Sequence, residues 1–195
     1  MLNKKRFLVM IPARGGSKGI KKKNLKLLNK KPLVTHAIEF AKKLNFVDRV
    51  VVNSDDSKII EISKKNKVDY IKRSKKLSGD KVSDYDLLSN TLSIYKKKGT
   101  FFDYLIYLQP TSPFRSANDI DSALIKLLDT NCDSIVSIVD VGGSHPLRMK
   151  KINDDGMLVN YSKQKGENML PRQKLEPVFI RNGAIYASKT SVLFS

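Results

Sequence analysis

The stretch Phe7-Leu8-Val9-Met10-Ile11, which runs into the loop Pro12-Ala13-Arg14-Gly15-Gly16-Ser17-Lys18-Gly19, decides the fold of this 195-residue chain. Five consecutive apolar residues that end at a glycine-rich turn are typical of a strand buried on both faces. Beyond the loop, apolar residues recur at helical spacing, which predicts a helix over 32–44. A buried strand, a loop and a helix in this order predict the first unit of a parallel sheet.

The same alternation continues along the chain. Apolar runs predict strands at 50–52, 70–71, 104–108, 135–139 and 178–187, and helices follow the capping residues around Ser54, Ser83 and Ser116. This order predicts the α/β class, with a mostly parallel sheet and helices on both of its faces. The rhythm breaks after Val139, so we expect residues 1–195 to form one domain with an excursion at 141–176.

The charge of the chain first indicates a nucleic-acid binder, because 37 Lys+Arg residues face 19 Asp+Glu and the formal net charge is +18. Its distribution weakens that interpretation, since 11 of the basic residues lie within residues 1–31, which hold no acid. No aromatic-rich RNA motif, helix-turn-helix signature or zinc spacing accompanies the charge. No apolar run approaches the roughly 20 residues of a membrane span. The single cysteine, Cys132, excludes an intrachain disulfide and suits a reducing cytoplasm.

The glycine-rich loop after the first strand is the strongest candidate site. Its glycines allow a tight turn that brings N–H groups close to an anion, and Arg14, Lys18 and the lysines at 21–23 add positive charge. A Walker loop is excluded because Gly19 follows Lys18, and the glycine spacing does not match the dinucleotide fingerprint. Since ligands of open α/β sheets bind beyond the carboxyl ends of the strands, this loop predicts a polyphosphate site. The alternative is a lysine-rich surface turn.

Seven segments in order, from about residue 7 to residue 188, are similar to motifs of the acylneuraminate cytidylyltransferase family, the CMP-sialic acid synthetases. QPTSP and NGAIY are the more specific of them, whereas ARGGSKG alone fits other sugar nucleotidyltransferases. The resemblance implies a three-layer, Rossmann-like, glycosyltransferase-A-like nucleotidyltransferase fold. The segments are IPARGGSKGI with Lys23-Asn24, Asn53-Ser54-Asp55, Arg73 with Asp80-Lys81-Val82-Ser83, LQPTSPFR at 108–115, HPLR at 145–148, PRQ at 171–173 and RNGAIY at 181–186.

The resemblance also implies an activity and a set of residues. CMP passes from CTP to the anomeric hydroxyl of a nonulosonic acid of the N-acetylneuraminic, legionaminic or pseudaminic type, and pyrophosphate leaves. Arg14 and Lys23 are the expected catalytic residues, because they would offset charge on the leaving group. The expected nucleotide-binding residues are Arg14, Gly15, Gly16, Ser17, Lys18, Lys23, Asn24, Arg73, Val82 and Ser83. The expected sugar-binding residues are Gln109, Arg148, Arg172, Asn182 and Tyr186.

The family carries a later D-x-D pair that holds Mg²⁺, and no such pair follows Tyr186 in this sequence. The spacing does occur at 84–86 and 119–121, but both fall within predicted helices, so the metal ligands stay unknown. We therefore expect either a truncated C-terminal end or a chain that has lost full activity. The alternatives are a remnant that binds CTP and the acid sugar, a transferase for another acid sugar, or a basic nucleic-acid binder. The resemblance further implies a cytoplasmic homodimer, with 141–176 as the dimerisation arm and Arg172 reaching the partner's site.

Overall fold

The computed structural model describes residues 4–17, 19–79, 82–162 and 170–193. Two compact units make up the chain, the first at 1–137 with 183–195 and the second at 138–182. The four longer helices are α1 (Leu33–Lys42), α2 (Ser57–Lys65), α3 (Asp84–Lys97) and α4 (Ala117–Asp129). The strands are β1 (Phe7–Pro12), β2 (Leu27–Leu28), β3 (Lys31–Pro32), β4 (Arg49–Ser54), β5 (Asp69–Lys72), β6 (Tyr104–Tyr107), β7 (Ser134–Asp140), β8 (Lys150–Ile152), β9 (Leu158–Asn160) and β10 (Phe179–Lys189). Single helical turns lie at Lys23–Leu25, Lys75–Leu77, Pro146–Arg148, Arg172–Lys174 and Ser191–Leu193.

The central sheet has the strand order β5-β4-β1-β6-β10-β7. Strand β1 runs parallel to β4 and β6, and β4 runs parallel to β5. Within the central sheet, β10 runs antiparallel to β6, with Tyr186 opposite Tyr107. The predicted mostly parallel α/β sheet is therefore confirmed.

The alternation of side chains along β1 divides the core into two layers. Phe7, Val9 and Ile11 belong to the cluster that contains the apolar faces of α1, α2 and α4. Leu8 and Met10 belong to the second cluster, which contains the apolar face of α3. Successive residues of a strand point to opposite faces of the sheet, so one strand that is apolar throughout produces three layers.

The helix starts follow from short polar sequences. Asp56 caps α2 by accepting hydrogen bonds from the N–H groups of Lys58 and Ile59. Helices α3 and α4 each begin at a capping box, Ser83 with Asp86 and Ser116 with Asp119. The helix predicted from residue 32 begins at Leu33, because proline takes the preceding cap position. On α3 the buried face includes Leu87 and Thr91, whereas Leu88 is only half-buried.

The second unit, 138–182, contains the β8–β9 hairpin and the turns at Pro146–Arg148 and Arg172–Lys174. The sequence places the arm at 141–176, and its role in dimerisation stays a prediction. Within the described ranges, no helix combines the length and the apolar character that crossing a membrane requires.

Candidate active site

A cavity of about 400 Å³ opens in the first unit beyond the carboxyl ends of β1, β5 and β6. Seven residues predicted from the sequence line it together: Arg14, Ser17, Lys23, Asn24, Arg73, Val82 and Gln109. The remaining lining residues are Pro12, Gly19, Gly79, Asp84, Leu87, Tyr107, Pro110 and Thr111. Residues that follow the carboxyl ends of β1, β5 and β6 therefore line one cavity, as expected for parallel strands.

Asn24 holds the loop after β1 in shape. Its side chain is buried, and its amide nitrogen donates to the carbonyl of Arg14 at 2.9 Å. Lys22, just before the turn at Lys23–Leu25, has a φ of 53°, in the left-handed region. These contacts place Arg14 and Lys23 on the same cavity wall, where two cations favour an anionic ligand.

Gly15 lies against two acidic residues that follow β4. Its N–H donates to Asp55 Oδ1 at 2.8 Å, and a Cβ on Gly15 would stand 2.8 Å from Asp56 Oδ2. Only glycine permits this approach. The sequence expects the N–H groups of this loop to face an anion, and at Gly15 that anion is a carboxylate of the protein itself.

The other loop positions differ from one another. A Cβ on Gly16 would meet open space, and the Ser17 N–H donates to the carbonyl of Gly15 at 3.2 Å. Lys18 lies outside the described residues, as do Asp80 and Lys81.

Arg73 is fixed by Asn53. Its Nε donates to Asn53 Oδ1 at 2.8 Å and its Nη2 donates to the Asn53 carbonyl at 3.0 Å. Asn53 is buried in turn and donates to Thr91 Oγ1 at 3.1 Å. Burial lowers the pKa of Arg73 from its ordinary value, while the nearby Asp55 carboxylate opposes that shift. The hydrogen bonds to Asn53 therefore hold the Arg73 guanidinium in one orientation where it lines the cavity.

Ser83 serves as a helix cap. Its hydroxyl donates to Asp86 Oδ2 at 2.7 Å and accepts from the Asp86 N–H at 3.1 Å. Val82, its neighbour, lines the cavity, whereas Ser83 is absent from the lining. A direct contact of Ser83 with the nucleotide stays a prediction.

Tyr107 and Asp84 are lining residues that the sequence did not reveal. The Tyr107 hydroxyl donates to Asp84 Oδ1 at 2.6 Å. Burial raises the pKa of Tyr107 above its ordinary value, and the hydrogen bond to Asp84 raises it further. The signal that could have found Tyr107 is its position at the end of β6, two residues before Gln109. Tyr186 packs edge-on against the Tyr107 ring, with 6.1 Å between the ring centroids.

Arg115 has a structural role. Its Nε donates to the Ala184 carbonyl at 3.0 Å and its Nη2 to the Gln109 carbonyl at 2.6 Å. Burial lowers the pKa of Arg115 to about 10. These bonds tie the loop that carries Gln109 to strand β10.

The second unit holds the three remaining sugar-binding candidates. Arg148 donates from Nη2 to the Leu170 carbonyl at 2.9 Å. Arg172 approaches Asp140 Oδ1 at 3.4 Å and lies beside Gly142, and Asn182 is exposed. Because they belong to the second unit, their part in the cavity of the first unit stays a prediction.

His145, in the same unit, is a buried structural residue. Its Nδ1 accepts from the Leu147 N–H at 3.2 Å, which leaves the proton on Nε2 to be donated to the Glu176 carbonyl at 3.0 Å. Both ring nitrogens are occupied, so this arrangement offers no general base.

No group of three or more His, Cys, Asp or Glu side chains that could hold a metal ion occurs in the described part of the chain. In the first of the two D-x-D spacings, Asp84 accepts a hydrogen bond from the Tyr107 hydroxyl, and Asp86 belongs to the capping box of α3. In the second, Asp119 completes the capping box of α4. Asp84, Asp86 and Asp119 are thus engaged in hydrogen bonds within the protein.

The family model described as "Cytidylyltransferase" matches residues 8–191. The N-acylneuraminate cytidylyltransferase of Streptococcus agalactiae is 32% identical over 184 residues, which are 93% of this chain and 43% of that protein. The CMP-N,N'-diacetyllegionaminic acid synthase of Legionella pneumophila is 30% identical over 183 residues, 93% of this chain and 77% of that one. The chain thus spans less than half the length of the streptococcal relative.

A solved structure of a CMP:2-keto-3-deoxy-manno-octonic acid synthetase complexed with CTP superposes with a TM-score of 0.69 at 22% identity, covering 97% of this chain and 76% of the other. This likeness confirms the nucleotidyltransferase type of α/β fold. The family match extends over nearly the whole chain and includes the residues that line the cavity. The chain therefore belongs to the cytidylyltransferase family.

Proposed function

We propose that this protein transfers CMP from CTP to the anomeric hydroxyl of an acidic nine-carbon sugar and releases pyrophosphate. One observation carries the proposal: a single cavity collects Arg14, Lys23 and Arg73 with the amide of Gln109. The charges of Arg14 and Lys23 suit a triphosphate, the guanidinium of Arg73 suits a base carbonyl, and the neutral amide of Gln109 suits a hydroxylated sugar. The streptococcal and Legionella relatives are named for acid-sugar cytidylyl transfer, which supports the same class of reaction.

In this reaction the anomeric oxygen forms a bond to the α-phosphorus of CTP. The bond from that phosphorus to the bridging oxygen breaks, pyrophosphate departs with the electron pair, and the hydroxyl proton is lost. Arg14 and Lys23 would lie beside the triphosphate and offset the negative charge that grows on the leaving group. Both line the cavity on the loop that Asn24 holds, so their charge is placed before the reaction starts.

Arg73 is the candidate for the pyrimidine base. Its Nε and Nη2 are bonded to Asn53, and this leaves the planar group one fixed approach to the cavity. A guanidinium held in this way can donate to a carbonyl oxygen of a base with defined direction. Val82, which lines the same cavity, would pack on the nucleoside.

Gln109 and Tyr186 are proposed to contact the sugar from the first unit, and Arg148, Arg172 and Asn182 from the second. The substrate carries a carboxylate, which an arginine can bind with two hydrogen bonds. N-acetylneuraminic, legionaminic and pseudaminic acids are the candidate substrates.

We also propose that the protein is a cytoplasmic homodimer that uses Mg²⁺ with CTP. The second unit supports the dimer, because it exposes many large apolar side chains, more than isolated exposed residues would explain. They are Ile138, Val139, Met149, Ile152, Met157, Leu158, Tyr161, Leu170, Phe179 and Ile180. Mg²⁺ neutralises phosphate charge when it is bound with the nucleotide, and the described residues do not identify protein ligands for it.

The decisive experiment measures pyrophosphate release from CTP with each of the three acid sugars in the presence of Mg²⁺. We expect release with at least one sugar, and much less with UTP or ATP. An Arg14→Ala variant serves as the negative control. If CTP binds but none of the sugars yields pyrophosphate, the chain is a nucleotide-binding protein and the proposed activity is wrong.

A further inference from the structure

We infer that Arg115 is a positioning residue for the acceptor sugar: its buried guanidinium ties the backbone at Gln109 to β10 and so fixes where the Gln109 side chain meets the sugar. The inference rests on the proposed function, because it takes Gln109 as a contact of the sugar. It goes beyond that function by giving a role in sugar binding to a side chain that the lining of the cavity does not include.

Arg115 and Arg73 are buried to the same extent, each with 8% of its surface exposed. Arg73 lines the cavity, whereas Arg115 bonds only to backbone oxygens, from Nε to the Ala184 carbonyl at 3.0 Å and from Nη2 to the Gln109 carbonyl at 2.6 Å. One planar group therefore joins two segments that are distant in the sequence, the loop after β6 and the strand β10.

Packing alone does not account for an arginine at this position. A buried cation loses its hydration, and the Nη1 of Arg115 has no hydrogen-bond partner within the described residues. An apolar side chain of similar size would fill the same space without that cost. What arginine adds is a rigid fork of donors, and this fork sets the two carbonyl groups at a fixed separation.

The Gln109 side chain lies against the segment that Arg115 holds. Gly183, the residue before Ala184, has a φ of 79°, and a Cβ on it would stand 3.3 Å from Gln109 Oε1 and 3.6 Å from Ser112 Oγ. Glycine therefore permits a close approach between β10 and the amide. Because Arg115 fixes both backbones together, the side chain of Gln109 keeps its place beside Gly183.

The first test compares two ties between β10 and the neighbouring β6. Arg115→Met removes the donors and keeps a long side chain. Thr190→Val is the matched control, because the Thr190 hydroxyl donates to the Phe102 carbonyl at 2.5 Å, at the other end of this strand pair. We expect Arg115→Met to raise KM for the acid sugar about tenfold with KM for CTP within about twofold of wild type, and Thr190→Val to leave both constants within about twofold.

Equal rises in the two KM values of Arg115→Met, or no rise for the sugar, overturn the inference. Circular dichroism shows whether the variant is folded. Arg115→Lys keeps the charge but lacks the planar fork, so it should raise KM for the sugar by a smaller factor of about threefold. This variant replaces Arg115→Met in the comparison if the latter does not fold.

A double variant shows whether Arg115 acts through Gln109. We expect Gln109→Ala to raise KM for the sugar about tenfold, and the addition of Arg115→Met to raise it less than about twofold further, because an effect that passes through Gln109 is lost with it. Effects that multiply overturn the inference. If Gln109→Ala leaves KM for the sugar unchanged, the sugar contact at Gln109 is wrong and the inference falls with it, while turnover by the wild-type chain still supports the proposed function.

Gly183→Ala disturbs the same side chain from β10. The added Cβ would crowd Gln109 Oε1, so KM for the sugar should rise while KM for CTP stays within about twofold of wild type. Gly99→Ala is the control for backbone strain, since Gly99 has a φ of 70° and a Cβ on it would meet nothing within 4 Å. An equal change in both glycine variants would contradict the inference.

The last measurement does not depend on turnover. In the ¹⁵N-labelled protein, the side-chain NH₂ signals of Gln109 are identified by their loss in Gln109→Ala. These signals should move in Arg115→Met and remain in place in Thr190→Val. Signals that do not move in Arg115→Met overturn the inference, whether or not any sugar is a substrate.

Discussion

Arg73 and Asn53 are joined by two hydrogen bonds, from Nε to the side-chain oxygen at 2.8 Å and from Nη2 to the backbone carbonyl at 3.0 Å. Both residues are buried, and Thr91 accepts from the Asn53 amide to complete the arrangement. The pair links the end of β4 to the residue that follows β5. Burying the Arg73 cation costs free energy, and its hydrogen bonds to the neutral oxygens of Asn53 offset part of that cost.

Replacing Asn53 tests this arrangement. Asn53→Ala removes the side-chain acceptor of Arg73, so we expect KM for CTP to rise about tenfold or more. Thr91→Val keeps the shape of Thr91 and should give a smaller rise of about threefold, because it acts on Arg73 only through Asn53. Steady-state kinetics with CTP varied at saturating sugar give both values. The control is Ser63→Ala, at a buried residue whose hydroxyl donates to the Ile59 carbonyl within α2, and it should leave KM for CTP unchanged.

The cations of the loop after β1 should affect turnover. Arg14→Ala and Lys23→Ala each remove a charge from the cavity wall, and we expect kcat to fall about 100-fold, as for loss of one donor to a developing anion. Initial-rate assays of pyrophosphate release measure the effect. Lys97→Ala, at the exposed end of α3, is the control for loss of a lysine. An unchanged kcat in either loop variant would remove that residue from the catalytic assignment.

Arg115 should matter for stability. Arg115→Ala removes one donor each from the carbonyls of Gln109 and Ala184 and also removes packing against the Phe40 ring, 5.7 Å from the guanidinium carbon. We expect the free energy of unfolding to fall by about 2–4 kcal/mol. Urea denaturation followed by circular dichroism measures the change. Arg49→Ala, at an exposed arginine of β4, should cost less than about 1 kcal/mol.

Tyr95 and Tyr107 should ionise at a higher pH than an ordinary tyrosine. Burial raises the pKa of Tyr95 and of Tyr107, and a carboxylate that accepts from each hydroxyl adds to the shift. A raised folded pKa means that the protonated phenol stabilises the fold, and this contribution is lost as the pH rises above the ordinary tyrosine pKa of about 10. An absorbance titration at alkaline pH should therefore show late-ionising tyrosines, and one fewer of them in Tyr107→Phe. Loss of an early tyrosine in that variant would contradict the shift.

The β8–β9 hairpin should control association if the second unit forms the dimer contact. Ile152 and Leu158 are cross-strand partners, 72% and 69% exposed. We expect Ile152→Lys with Leu158→Lys to yield monomers at micromolar concentration in sedimentation velocity. Asp154→Asn with Asp155→Asn adds the same charge in the same hairpin and should leave the mass unchanged. A wild-type protein that sediments as a monomer would refute the proposed dimer.

The sequence predicts those features that depend on neighbours along the chain. The five apolar residues at 7–11 identify β1, and Ser116 with Asp119 marks the start of α4, because burial on both faces and helix capping have local patterns. The sequence also predicts Arg14, Arg73 and Gln109 as cavity residues because each follows the end of a strand, whereas Lys23 was predicted from the family resemblance.

The remaining features depend on contacts between distant segments. Nothing near Tyr107 in the sequence indicates that its hydroxyl meets Asp84, 23 residues earlier. Nor does the loop sequence show that the Gly15 N–H is bonded to Asp55, 40 residues later. Such pairs arise only when the strand ends are brought to one edge of the sheet, so residue types alone do not reveal them.

The bond from Gly15 to Asp55 has a consequence for how a nucleotide would be met. A carboxylate oxygen on a backbone N–H imitates the contact that a phosphate oxygen makes at such loops. Asp55 therefore acts as an internal counter-anion, and the turn at Gly15 is set before any ligand arrives. The turn is therefore ordered when the protein folds. A nucleotide that binds here would lose less binding free energy to ordering the loop.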